Sequence, residues 1–210
     1  MEARNHQPIS AYTSEGLKAV SLPGVEMRSQ LLTEGMPVDL NCGRYCVEAA
    51  IKYWLVQLSR RLKPNAGDVF HGLLPESSMK ILGIKLAWDA SAEGSRYTRA
   101  VGKPTSLEQW ARQLQNDGPL IVDGALGSVL GITHVRHYIL IVGADIRSGV
   151  LLCRDPLAAG KGEIEYKFDW VQPRIDNVYA IDLGALREDT DPAPAFPSAA
   201  SAAAPPGGTH

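Results

Sequence analysis

A thiol, an imidazole and a carboxylate occupy positions in this chain from which they could act together. Cys46 lies in the first turn of an expected helix. His137 opens the apolar run His137-Tyr138-Ile139-Leu140-Ile141-Val142, and Asp155 closes the next one, Val150-Leu151-Leu152-Cys153-Arg154. Backbone N–H groups at a helix start are unpaired and the dipole end there is positive, so a thiolate is favoured over a thiol. A thiolate is a ready nucleophile, and an imidazole can move its proton. A carboxylate can fix the imidazole tautomer and stabilise the imidazolium. Asn41, or a main-chain N–H near Cys46, is placed to hold an oxyanion. These are the parts of acyl transfer through a thioester.

The same residues admit other readings. Cys42, in the turn ahead of the helix, is a second candidate nucleophile, and His134 is a second candidate base. Cys42, Cys46, His134 and His137 also supply Cys-x3-Cys and His-x2-His, ligand types that hold zinc, although a cysteine pair opening a long apolar helix is not the usual knuckle. Alone, Cys46 reads as a small buried hydrophobe and Asp155, before Pro156, as a turn former. Cys153 alternates within an apolar strand and reads as packing. Trp54, Trp110 and Trp170 read as core, while Trp88 and Tyr97 flank a polar loop and are candidates to line a cleft. No glycine-rich phosphate loop follows a strand and opens a helix. Neither a cofactor nor a resident metal is expected.

The positioning elements follow from periodicity. Val47, Ala50, Ile51, Trp54, Leu55, Leu58 and Leu62 recur at helical spacing, predicting a helix over about 43–63 that ends at Lys63-Pro64. Arg60-Arg61-Leu62-Lys63 then forms its cationic end. Residues 68–82 read as one or two short helices, and Ile84, Leu86 and Trp88 alternate as a short strand. Ser106 is an N-cap with Gln109 three residues on, opening a helix to Asp117 that Gly118 closes. Beyond Gly118 come short apolar runs at Pro119–Val122, Tyr138–Val142, Val150–Cys153, Glu163–Phe168 and Val178–Ile181, separated by turn residues. They predict an antiparallel sheet of about five strands. Helices first and strands second give an α+β class. A hairpin turn at Asp145–Gly149 brings His137 and Asp155 to one edge. The domain plan is a loosely ordered arm over 1–25, one catalytic domain over 26–186, and a disordered Ala/Pro-rich tail over 187–210, where Leu, Ile and Val vanish after Leu186.

Whole-chain totals narrow the class. With 210 residues and 45% hydrophobic residues the chain can bury a core. A formal charge of -2 argues against a nucleic-acid partner. No apolar run approaches the ~18 residues that span a bilayer, so no membrane partner is expected. Met1 to Ser10 lack the pattern of a secretory signal, so the expectation is synthesis and folding in a cytoplasm. Three cysteines then point to free thiols rather than a disulfide framework.

Four phrases in order resemble a papain-like cysteine peptidase, of the bacterial effector branch rather than plant papain in detail. They are Cys-x-x-Ala-Ala opening a long helix (Cys46, Ala49, Ala50); Leu107-Glu108-Gln109-Trp110 through Asp117-Gly118-Pro119-Leu120-Ile121-Val122; His137-Tyr138-Ile139-Leu140-Ile141-Val142-Gly143; and Arg154-Asp155-Pro156 before a strand ending in Phe168. They span about residues 38–172. The resemblance implies a papain-like fold, peptide-bond hydrolysis, Cys46 as nucleophile, His137 as base and then acid, and Asp155 as orienting residue. One departure stands out: the family usually has a Gln about six residues before the nucleophile as oxyanion donor, and here Leu40 takes that place with Asn41 one residue closer. The resemblance also implies a protein or peptide substrate, an effector or toxin role with delivery independent of a signal peptide, and a cognate inhibitor or immunity protein in the producer. Amide hydrolysis or acyl transfer on the same site, and a catalytically inactive binding module, are the alternatives.

Overall fold

The computed structural model describes residues 8–13, 16–27, 42–62, 77–81, 84–88, 97–126 and 136–192. In chain order these form β1 (Ile9–Thr13), β2 (Gly16–Ser21), α1 (Cys42–Gln57), β3 (Arg60–Leu62), β4 (Ser77–Ile81), β5 (Ile84–Trp88), β6 (Thr98–Val101), α2 (Leu107–Asp117), β7 (Leu120–Gly124), β8 (His137–Asp145), β9 (Val150–Arg154), β10 (Ile164–Lys167), α3 (Phe168–Val171), β11 (Ile175–Ile181), α4 (Leu183–Glu188) and β12 (Thr190–Pro192). 3₁₀ segments fall at Pro156–Lys161, interrupted by a kink at Ala158, and at Gln172–Arg174.

The molecule is organised around β8, which is buried from His137 through Ala144. A strand with no polar face must be covered on both sides and paired on both edges. β9 takes one edge, with Leu140 opposite Arg154 and Asp145 opposite Val150. β7 and β2 divide the other: Leu120 lies opposite Ile141 and Gly124 opposite His137, while Ser21 lies opposite Gly143 and Ala19 opposite Asp145. The eight-stranded sheet runs β1-β2-β8-β7-β11-β6, with β9 joined to β8 and β10 to β9. Both α1 and α2 pack against β8. Helices and an antiparallel sheet make the class α+β, as the sequence predicts, although two strands precede the first helix.

α2 behaves as its sequence dictates. The Ser106 hydroxyl accepts from Gln109 N–H at 3.3 Å, Trp110, Ala111 and Leu114 are buried, and Gly118 N–H donates to Leu114 O at 3.1 Å. Gly118 has φ +69°, and a Cβ there would sit 2.7 Å from the Trp54 ring. Both left-handed strain and overpacking oppose a side chain. Gly118→Ala is expected to lower unfolding free energy by about 2–4 kcal/mol, measured by urea denaturation.

Several expectations are corrected. α1 stops at Gln57 because Ser59 adopts φ +50° and turns the chain out of the helix. Arg60 and Arg61 are therefore not its cationic end. They lie in β3, which pairs with β12, and the Arg60 guanidinium donates to Thr190 Oγ1 and Thr190 O at 2.5 Å each. Thr190–Pro192 is thus structured, and α4 extends to Glu188, so the unstructured reading of 187–210 fails at its start; residues 193–210 lie outside the described residues. The arm expected over 1–25 contributes β1 and β2, and Val20, Leu22 and Val25 enter the core. Leu22 N–H donates to Val142 O at 2.8 Å. A segment without internal periodicity still forms strands when a buried neighbour offers an open edge. Ser77–Ile81 is a strand paired with Ile84–Trp88, not a helix; the helix expected at 69–74 lies outside the described residues.

Candidate active site

The β8–β9 hairpin sets the site. Its turn is closed by the Asp145 carboxylate, which accepts from Arg147 N–H at 2.9 Å and Ser148 N–H at 3.3 Å, with Gly149 at φ +69°. Antiparallel pairing then returns the chain so that Arg154, the last residue of β9, lies opposite Leu140, and Asp155 follows it towards the end of β8 that His137 opens. His137 Nε2 donates to Asp155 Oδ1 at 2.7 Å, with side-chain exposures of 4% and 0%. The same Asp155 oxygen accepts from Leu157 N–H at 2.8 Å, and Oδ2 accepts from Tyr166 Oη–H at 3.2 Å. Asp155 is therefore a turn former and an imidazole partner at once, as the tight turn aims its carboxylate at β8.

The thiol that reaches this imidazole belongs to Cys42. Burial works against a charged His137, yet the hydrogen bonds with Asp155 and then Cys42 outweigh it and hold the imidazole up at about 9. With Nε2 committed to Asp155, Nδ1 is the ring nitrogen left for sulfur. Cys42 is the first residue of α1 and is buried. The sequence reading expects Cys46 at this place. Cys46 lies one turn further along α1 with 0% exposure, in the hydrophobic core with Val47, Ala49 and Ala50. Burial, then the charges of Cys42 and Asp155, push its thiol well up, which disfavours the nucleophilic form. The described part of α1 runs from Cys42, so both cysteines lie in its first turns.

Asn41 and His134 lie outside the described residues, and with them the oxyanion assignment and the rival base. Among the described residues no group of three His, Cys, Asp or Glu side chains is placed to hold a metal ion. Cys153 is buried in β9 and its thiol donates to Leu151 O at 3.6 Å, a packing role. Tyr97 is core, donating to Asp189 Oδ2 at 2.5 Å, rather than lining a cleft; the Trp88 side chain lies outside the described residues.

Sequence reasoning also missed the pair that seats β8. Asp123, 2% exposed, accepts from Asn177 N–H at 3.1 Å, from Asn177 Nδ2 at 2.9 Å, and from the Arg136 guanidinium. A buried carboxylate so satisfied ties the residue before His137 to β7 and β11. Gly124, opposite His137, leaves room for the crossing chain: a Cβ there would lie 1.9 Å from Arg174 O.

No protein-family model and no curated protein sequence matches the chain. No helix among the described residues is long and apolar enough to cross a membrane.

Proposed function

We propose that this chain is a papain-like cysteine peptidase in which Cys42 is the nucleophile, His137 the proton carrier and Asp155 the orienting carboxylate. The observation that carries the reading is one buried imidazole held between a carboxylate and the cysteine that opens α1. Cys42 gives its proton to His137 and its sulfur attacks the carbonyl carbon of the scissile amide, forming a C–S bond. Negative charge collects on the carbonyl oxygen, where the unpaired first-turn N–H groups of α1 can receive it. The C–N bond breaks as His137 passes the proton to the departing amine. Water, deprotonated by the same imidazole, then attacks the thioester, and the acid leaves as Cys42 recovers its proton. Burial opposes the charged imidazole, but its bonds with Asp155 and Cys42 raise its proton affinity, so that once it has taken the Cys42 proton it keeps it until the amine departs.

The substrate class under this reading is a peptide or protein. The resemblance extends it to an effector or toxin acting on a protein of another cell, with a cognate inhibitor in the producer. The test is iodoacetamide labelling of the native full chain, read at each of Cys42, Cys46 and Cys153 by mass spectrometry. Labelling is expected to concentrate on Cys42 and to slow at least tenfold in His137→Ala. Equal, slow labelling at all three, indifferent to His137, would exclude the peptidase and leave a binding module.

A further inference from the structure

Asp155 has a second anchor outside the three residues of the proposed site. Its Oδ1 is shared between His137 and Leu157 N–H, while Oδ2 accepts from Tyr166 Oη–H at 3.2 Å. Tyr166 is itself held. Its ring stacks on Trp170 at 5.4 Å and 24°, the Arg174 guanidinium lies over the Trp170 ring at 4.4 Å, and Arg174 Nη1 donates to Trp170 O at 2.5 Å. The three come from β10, α3 and the turn before β11, none of which carries Cys42, His137 or Asp155. Burial, followed by the charges of Asp155 and Cys153 and the bond to Asp155, pushes the Tyr166 phenol up, so the hydroxyl stays a donor across the working range.

We propose that Tyr166 is a positioning residue that sets the proton affinity of His137 through Asp155. This rests on the Cys42–His137–Asp155 reading above. Its physical basis is a difference between two protonation states. When His137 is charged, the Asp155 carboxylate is neutralised by the imidazolium beside it. When His137 is neutral, Asp155 is a buried anion that depends on its other donors. A hydroxyl on Oδ2 therefore stabilises the neutral-imidazole state more than the charged one and holds the His137 midpoint down. Removing it makes His137 keep its proton more tightly and release it to a leaving amine less readily. Among the described residues, the charged and titratable groups near the pair are Cys42 and Cys46 from α1, Cys153 from β9, Tyr166 from β10, and the Arg136–Asp123 pair where β8 meets β7. Of these, Tyr166 is the one whose neutral hydrogen-bond donor lies on Asp155 Oδ2.

The experiment titrates His137 in the full chain by NMR of carbon-13-labelled histidine, assigned by loss of its signal in His137→Gln. Tyr166→Phe keeps the stacked ring and loses only the hydroxyl. Its His137 midpoint is expected to rise by about 0.5 to 1 pH unit, a three- to tenfold gain in proton affinity and the size of one hydrogen bond. Placing 3-fluorotyrosine at position 166, a stronger donor of nearly the same shape, is expected to move the midpoint down. An unchanged or lowered midpoint in a folded Tyr166→Phe overturns the proposal. Should that variant unfold, the fluorinated chain decides: a fall supports the proposal and no change overturns it. Cys42 labelling in the unsubstituted chain is read alongside, so an inert Cys42 with a shifted His137 midpoint marks failure of the peptidase reading alone.

Discussion

Cys42→Ala is expected to eliminate the proposed peptide hydrolysis, lowering kcat/KM by at least about 10⁴-fold, and to leave unfolding free energy within about 1 kcal/mol of the unsubstituted chain. Cys46→Ala does the reverse. It opens a small void in the core formed with Val47, Ala50 and Ile51, lowers stability by about 1–2 kcal/mol, and keeps activity within a few-fold. The contrast follows from position. Both thiols are buried, but Cys42 is the one that, after Asp155, raises the proton affinity of His137, and Cys46 is a thiol whose ionisation its surroundings oppose. The pair of variants is measured by turnover of a fluorogenic peptide mixture and by urea denaturation on the same preparations. Activity surviving in Cys42→Ala but lost in folded Cys46→Ala would return the nucleophile to the inner cysteine.

Asp155→Asn is the second large effect. Asn presents its oxygen or its amide to Nε2, and neither reproduces a carboxylate facing an imidazolium. Activity is expected to fall by roughly 10²–10⁴-fold. Stability changes its dependence on pH as well. The folded midpoint of His137, about 9, lies above the 6.5 of an unperturbed imidazole. The stabilisation from this group is therefore complete below pH 6.5 and is lost as pH rises through about 9. Across that window the unsubstituted chain loses on the order of 3 kcal/mol. In Asp155→Asn, burial acts on His137 without the carboxylate, so its midpoint drops and the decline over this window disappears. Denaturation midpoints at pH 6, 7.5 and 9 read the difference; parallel losses in both chains would remove His137–Asp155 as the source.

Much of the frame was legible because short-range signals agree with tertiary needs. The Ser106 cap, the Gly118 stop and the apolar face of α2 are local chemistry, and α2 forms where they place it. The hairpin that unites His137 and Asp155 follows from two apolar runs joined by a five-residue turn-forming stretch. Other parts were not legible, because the deciding contact lies far away in sequence. β1 and β2 exist because β8 offers an edge more than a hundred residues later, and β3 because β12 meets it from the end of the described chain. Tyr166 gives no sign in sequence of reaching Asp155, because the β9–β10 pairing is what carries it there.

By itself, then, the sequence determined the α+β class, the α2 helix, the hairpin, and the two residues His137 and Asp155 that the hairpin brings within 2.7 Å. Only the tertiary structure decided which cysteine meets them. Cys42 and Cys46 are one helical turn apart and share a face, so periodicity cannot separate them. The choice is made by how α1 lies against β8. Docking of the helix start at the His137 end of that strand puts Cys42 at the imidazole and commits Cys46 to the core.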